Sequence, residues 1–411
     1  MSKLQELIQR LCPDGVEYKK LGEVIKIYTG EQFNKRDMMS SGQYPVINGG
    51  ISASGYIDKY NEDQDTITIS QGGASAGYVS WQESPFWAGA HCYVIKPLSN
   101  ETSNRFIYFF LKNSESSLQQ MQHGAGIPAL NRDKVRNLWF PVLPLEVQEE
   151  IVRILDRFSD YAAELQAELQ ARKEQYEYYR NLLLTFNPAG CAGEADDEQE
   201  GCVTTRGGHS YPIQWKKMGD VGTFIRGNGL QKKDFTESGV GCIHYGQIYT
   251  YYGTFATETK SFVSEEFAKK LRKAQTGDLV IATTSENIED VGKAVVWLGK
   301  DEIAISGDAY VYKHNQNPRY IAYLLQTDRF LAFKRMNVSG TKVTRISGDS
   351  LAKYPIPIPP LELQEKIVAI LDRFETLVND LSEGLPAEIA AVKEQYEYYR
   401  NRLLTFKEKT A

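Results

Sequence analysis

The sequence predicts an α+β protein: two mixed α/β units joined by two long antiparallel helices that form a coiled coil, with a pseudo-twofold internal repeat. Three observations predict it. KEQYEYYRNLLLTF (173–186) recurs as KEQYEYYRNRLLTF (393–406) with one position changed. PVLPLEVQEEIVRILDRF (141–158) recurs as PIPPLELQEKIVAILDRF (357–374). KKLGEVIKIYTGEQFNKRD (19–37) is echoed by KKMGDVGTFIRGNGLQKKD (216–234), and CYVIK (92–96) more faintly by AYVYK (309–313). The expected order is a variable unit at 1–140, a long helix at 141–186, an acidic linker at 187–206, a second variable unit at 207–357 and a second long helix at 358–411.

With 411 residues, 42% of them apolar, the chain can bury more than one core. It shows neither a basic leader running into an apolar stretch nor a run of about 18 apolar residues, so a cytoplasmic location is expected. Cys12, Cys92, Cys191, Cys202 and Cys242 are odd in number and follow no zinc or disulfide spacing; a pairing of Cys191 with Cys202 across the acidic segment is conceivable.

Each shared tail reads as a long helix. From Leu145 to Phe186 there is no Pro or Gly, and Val147, Ile151, Ile154, Phe158, Tyr161, Leu165, Leu169, Tyr176, Tyr179 and Leu183 recur at spacings of mostly three and four. Such a helix is roughly 60 Å long, more than a small domain needs to cover its own core, so the stripe asks for a partner helix. The second tail offers Leu363, Ile367, Ile370, Phe374, Leu377, Leu381, Ile389, Val392, Tyr396, Tyr399 and Leu403. It carries four extra residues around SEGLPAE, about one turn, and Gly384 with Pro386 is expected to kink it. A parallel pairing would crowd both units at one end, so the antiparallel one is expected.

If Tyr176, Tyr179 and Leu183 face the partner helix, then Glu174, Gln175, Glu177, Tyr178, Arg180 and Asn181 face outward, yet they too are identical in the second copy. A recent duplication would have left the intervening units alike as well. Two equivalent surfaces docking the same partner account for the pattern, with Tyr178, Arg180, Tyr398 and Arg400 as the docking candidates.

The net charge of −6 is unevenly spread. Residues 1–140 are balanced and 203–360 carry +6, while the tails and linker hold the acidity. A pI of 5.6 therefore does not exclude nucleic acid. The variable units read as strand, loop, strand at 65–81 and 277–298, with short apolar helices at 106–113 and 320–327. Their loops are rich in Gly, Ser, Thr, Asn and Gln with interspersed cationic side chains, a mix that suits base edges and phosphates as well as any polar loop.

Catalytic motifs are missing from the sequence. It contains no phosphate loop and no NPPY or DPPY tetrapeptide; NPAG (187–190) is a linker turn. Asp14, Glu17 and Lys19 in CPDGVEYK superficially match a nuclease pattern, but their spacing is too short for groups on adjacent strands, and Pro-Asp-Gly is a turn signal. His91 has no nucleophile elbow nearby.

On PDGVEYKKLGEV, the entries PLEVQEEIVRILDRF and PPLELQEKIVAILDRF, and the two KEQYEYYR helix ends, the chain resembles the specificity subunit of type I restriction-modification systems over nearly its whole length. The resemblance implies a non-catalytic DNA reader. Each variable unit is then a target recognition domain for one half of a bipartite asymmetric site, and the helices set the gap. Two methylation subunits, which hold S-adenosylmethionine, would dock on the repeats; two restriction subunits, which use ATP and Mg, would complete the complex. No cofactor is expected in this chain itself. The alternative is a non-enzymatic coiled-coil scaffold joining two protein-binding heads. The candidate DNA contacts, chosen as loop donors, are Gln32, Asn34, Lys35, Asn48, Gln71, Ser75 and His91 in the first unit. In the second they are Arg226, Asn228, Lys232, Gln247, Ser285, Asn287, Lys342 and Arg345.

Overall fold

The structure, a computed structural model, describes residues 2–123, 128–186, 200–204, 210–340 and 342–409. The chain falls into two compact units, Met1–Ala167 with Ala387–Ala411, and Glu168–Pro386. The division runs through the helices rather than between helices and heads. Packing accompanies it: in the first unit the start of the first tail and the end of the second share one core, and in the second unit Phe374 packs against Tyr176 and Tyr179.

In the first unit the central sheet is antiparallel, in the order Ile25–Thr29, Cys92–Pro97, Thr66–Ser70, Val79–Gln82. Thr66–Ser70 is buried at every position, because it is an interior strand covered on both faces, and its alternating Thr and Ile suit that pleat. The helix Asn104–Asn113 is capped by Ser103, whose Oγ accepts from Phe106 N, and it buries Phe106, Phe109 and Phe110. Phe140 meets Phe106 and Phe110 edge-on at 5.7 and 5.0 Å. The helix Lys3–Leu11 adds Leu4 and Leu7 to this core, which also holds Val147, Ile151, Leu155 and Leu404.

The second unit repeats that sheet as Gly222–Arg226, Ala309–His314, Leu279–Ala282, Ala294–Trp297, then adds Phe255–Ala256 at the edge. The helix Pro318–Leu324 follows, capped by Asn317. The hairpin Glu200–Thr204 and Ser210–Lys217 pairs with Pro355–Ile358, so residues assigned to the linker belong to a sheet of this unit. Residues 187–199, with the NPAG turn, Cys191 and most of the acidic run, lie outside the described residues, as does the side chain of Cys202.

Identical residues of the two tails do identical jobs. Gln148 and Gln364 are both buried. Gln148 accepts from Ser103 N at 2.8 Å and donates to Leu143 O at 2.7 Å; Gln364 accepts from Asn317 N at 3.0 Å and donates to Pro359 O at 2.8 Å. Asp156 pairs with Arg105, and Asp372 with Arg319. Each buried amide ties the helix start to the cap of the short helix beside it.

The first long helix is continuous over Leu145–Leu184. The second tail is broken, not kinked, into Leu361–Asn379 and Leu385–Leu403. Asp380 leaves the helical backbone, and its carboxylate accepts from Ser382 N, Ser382 Oγ and Glu383 N, while Pro386 sits where a helix start tolerates its missing N–H. The expected stripe is also corrected: Leu363, Ile367, Leu371 and Val378 are buried, whereas Ile370, Leu377 and Leu381 are exposed. In the first helix Leu155 and Leu184 are buried and Tyr161 is exposed.

In the first unit Phe158 packs against Tyr396 and Tyr399, and Tyr161 Oη donates to Glu388 at 2.7 Å, so those helix segments run antiparallel. In the second unit Phe374 packs against Tyr176 and Tyr179.

Candidate nucleic-acid interface

Each unit ties its loops together at the same end of its sheet with the same backbone bonds. In the first, Gln71 N donates to His91 O at 2.9 Å and Leu130 N donates to Gln71 O at 2.8 Å. In the second, Thr283 N donates to Asp308 O at 3.0 Å and Ile346 N donates to Thr283 O at 3.0 Å. Glycine makes the neighbouring crossing possible. A Cβ at Gly30 would lie 2.2 Å from Ala88 O, and one at Gly227 would lie 2.1 Å from Ser306 O. The main chain of this knot is therefore shared, and the side chains on it differ: Gln71 against Thr283, His91 against Asp308, Ala129 against Arg345.

In the first unit the structure gathers Asn48, Gln71 and His91. Asn48 Oδ1 accepts from His91 N at 3.2 Å, and the His91 ring is exposed. Ser75 is half-buried in the loop that follows Gln71. Gln32 lies one residue beyond the Glu31–Gly89 bridge and is exposed; Asn34 and Lys35 follow on an exposed turn, where Asn34 caps the segment Lys35–Asp37.

In the second unit Arg226 is exposed, donates through Nε to Gly307 O at 3.1 Å and lies 4.0 Å from the Asp308 carboxylate. Lys232, Lys342 and Arg345 are also exposed. Four candidates are engaged within the protein itself. Ser285 is only 3% exposed, because it sits in the strand Thr284–Ser285 paired with Thr344–Arg345. Asn228 accepts from Arg272 N and donates to Lys270 O, so its amide holds two loops together. Gln247 accepts from His244 N and donates to Ser261 Oγ. Asn287 spends both ends of its amide on Asp290. These side chains shape loops and have few free donors left for a ligand.

Thr283, Asp308 and Tyr245 were missed by sequence reasoning. Asp308 was within reach: the CYVIK and AYVYK echo sets His91 directly opposite it. Arg226, Asn228, Gln231, His244, Tyr245 and Asp308 line an open cleft of about 480 Å³. The His244 ring lies 4.5 Å from that of Tyr245, and burial, aided by Lys232, lowers its pKa, so it is a neutral imidazole at pH 7. The cleft thus offers a guanidinium donor and a carboxylate acceptor side by side, a pair that can address guanine and cytosine or adenine edges.

On the repeated helix ends, Tyr178 and Tyr398 are 62% and 57% exposed, and Glu174, Glu177, Glu394 and Glu397 are exposed as well. Arg180 and Arg400 do not face outward freely. Each lies over the preceding Tyr176 or Tyr396 at 5.2 Å, and Arg400 also donates to Asn113. Asn181 is engaged with Asp328. At the one position where the repeat differs, Leu182 is 54% exposed, while Arg402 donates to Tyr398 Oη at 3.2 Å.

The sequence pattern of the type I restriction modification DNA specificity domain matches residues 13–174 and again 212–391. The chain is 29% identical over 408 residues to a putative type I restriction enzyme specificity subunit of Haemophilus influenzae, covering 95% of this chain and 96% of that one. A type I restriction enzyme specificity subunit of Escherichia coli is 26% identical over 422 residues, covering 99% and 98%. The crystal structure of the type I S subunit from M. genitalium superimposes with a TM-score of 0.57 at 17% identity, covering 95% of this chain and 96% of that one, which speaks to the fold.

Proposed function

The chain belongs to the type I restriction-modification DNA specificity family, matched once in each unit, and from that premise we propose how its residues divide the work. It is the DNA-recognition subunit of such a system, non-catalytic itself, and each unit reads one half of a bipartite asymmetric site. One observation carries this reading: both units hold the same backbone knot, with different side chains mounted on it. A common frame with variable donors and acceptors is what two readers of unlike half-sites require. In the first unit Gln32, Asn48, Gln71 and His91 stand nearest the DNA; in the second, Arg226, Asp308 and Arg345 do. Exposed Lys35, Lys232 and Lys342 supply phosphate contacts, which orient without specifying.

The tails serve assembly. The match between Phe158 with Tyr396 and Tyr399 and Phe374 with Tyr176 and Tyr179 supports an antiparallel coiled coil with a pseudo-twofold repeat. Two methylation subunits, carrying S-adenosylmethionine, dock on the faces around Tyr178 and Tyr398, and two restriction subunits, using ATP and Mg, join them. Among the described residues no helix is long and apolar enough to cross a membrane.

The test is a module exchange. Residues 20–140 are replaced by the equivalent unit of another family member, and the host methylome is sequenced with the methylation partner present. One half of the methylated motif changes and the other stays. A change in both halves would overturn the modular reading.

A further inference from the structure

The loops that leave the central sheets at residues 71–76 and 283–291 are closed in the same manner. Gly77 N donates back to Ser70 O at 2.9 Å, and Gly292 N donates back to Ala282 O at 2.7 Å. Both glycines have positive φ, +87° and +78°. A Cβ on Gly77 would lie 3.0 Å from Gln119 N, and one on Gly292 would lie 3.1 Å from Lys334 Cδ and Phe330 Cζ. Each loop is therefore drawn tightly onto the helical segment beside it.

A side chain from that segment then grips the loop's main chain. In the first unit Gln122 Nε2 donates to Ala76 O at 2.5 Å. In the second, Lys334 Nζ, from the helix Asp328–Asn337, donates to Glu289 O at 2.8 Å. Lys334 is only 4% exposed and lies over the Phe330 ring at 5.4 Å. An ammonium has three donors, and burying it against a single neutral acceptor is costly where a methionine of similar length would pack without penalty. Burial pulls its pKa down to about 8, against the pull of Glu289 and Asp290 and with the push of Lys293. Core packing therefore gives no reason for a lysine here; the bond to Glu289 does.

The same helix leads into Ser339, which bridges Arg345, and Thr284 pairs with Arg345 as well. Loop 283–291 is thus pinned at its start by the segment that bears Lys342 and Arg345, and in its middle by the Lys334 ammonium. We propose that Lys334 is a positioning residue for DNA readout by the second unit, holding the main chain at Glu289 so that loop 283–291 and residues 342–345 present one fixed surface to the second half-site. Gln122 performs the same service for loop 71–76 and the first half-site. The inference rests on the DNA-reading role above.

Two measurements separate the inference from that role. Hydrogen exchange on the full chain compares wild type with Lys334→Met and Gln122→Leu. Lys334→Met speeds exchange within 286–291 by about tenfold or more and leaves 71–76 unchanged, and Gln122→Leu does the converse. Unaltered exchange in 286–291 overturns the anchor without touching the DNA reading. Methylome sequencing of a host carrying the chain and its partner subunits then shows relaxed base choice, about tenfold, in one half of the motif for Lys334→Met and in the other half for Gln122→Leu. A motif that stays sharp, or blurs in both halves, overturns the positioning role. A bipartite motif lacking from the wild type would overturn the proposed function itself, while the exchange result stands on its own. Should Met at position 334 prevent folding, Lys334→Gln, one atom too short to reach Glu289, carries both tests.

Discussion

Phe158 stacks on Tyr399, with ring centroids 5.5 Å apart and planes at 28°. Its counterpart Phe374 stacks on Tyr179 at 5.6 Å and 27°. The two contacts explain why the chain keeps two copies of both tail segments: the ILDRF block of one tail is the packing partner of the KEQYEYYR block of the other, so neither can drift alone. Truncating either ring to Ala is expected to cost about 2 kcal/mol, the range for a large, partly buried aromatic. Thermal melting with hydrogen exchange assigned to each unit checks it. A site where the truncation is silent would show that its stack is incidental.

Packing accounts for Tyr176, Tyr179 and Arg180 and their second copies, but not for exposed Glu174, Glu177 and Tyr178. Tyr178→Ala together with Tyr398→Ala is expected to weaken capture of the methylation subunit by tenfold or more, at about 1 to 2 kcal/mol per aromatic anchor, with melting unchanged. Native mass spectrometry of the assembled complex reads the stoichiometry. If two methylation subunits still bind at wild-type concentrations, the exposed identity has another origin.

His314 makes the second unit sensitive to acid. Burial lowers its pKa from 6.5 to about 4, with the Asp278 carboxylate opposing. Between those values the unfolded chain takes up a proton that the folded chain refuses, so stability falls as pH drops from 6.5 to about 4 and is independent of this group above 6.5. His314→Asn, which can still accept from Gln316 N, should flatten that part of the melting temperature profile. An undiminished slope would assign the acid sensitivity to other groups.

Inserting four residues between Glu168 and Leu169 lengthens the continuous helix by about one turn, roughly 6 Å, and nearly preserves its buried stripe. If the helix sets the spacer, the motif recovered by methylome sequencing keeps both halves and gains one or two unspecified base pairs, each rising about 3.4 Å. The half-sites must still turn their grooves toward the readers, so a small twist of the DNA accompanies the change. An unchanged spacer with full methylation would end the ruler reading.

Much of the candidate interface was illegible in the sequence because its joining bonds are between backbone atoms. Gln71, His91 and Leu130 meet through N–H and C=O groups that every residue carries, so nothing in their side chains announces the knot. Choosing loop residues by donor type selected Gln71 and His91 but also Asn228, Gln247 and Asn287, whose amides are consumed in shaping loops. A sequence pattern does not tell a free amide from an engaged one.

By itself the sequence determined the two repeated tails, the helical period that makes them long helices, the strand-loop-strand rhythm of both units and the family resemblance. Each depends on residues a few positions apart, where periodicity and turn chemistry act. Only the tertiary structure decided that each unit takes the start of one tail and the end of the other, and that Ser285 is buried while Arg226 and Arg345 are exposed. Those outcomes rest on contacts between segments distant in the chain, such as Phe158 with Tyr399, and the free energy of such a contact depends on what else packs around it rather than on the local sequence at either end.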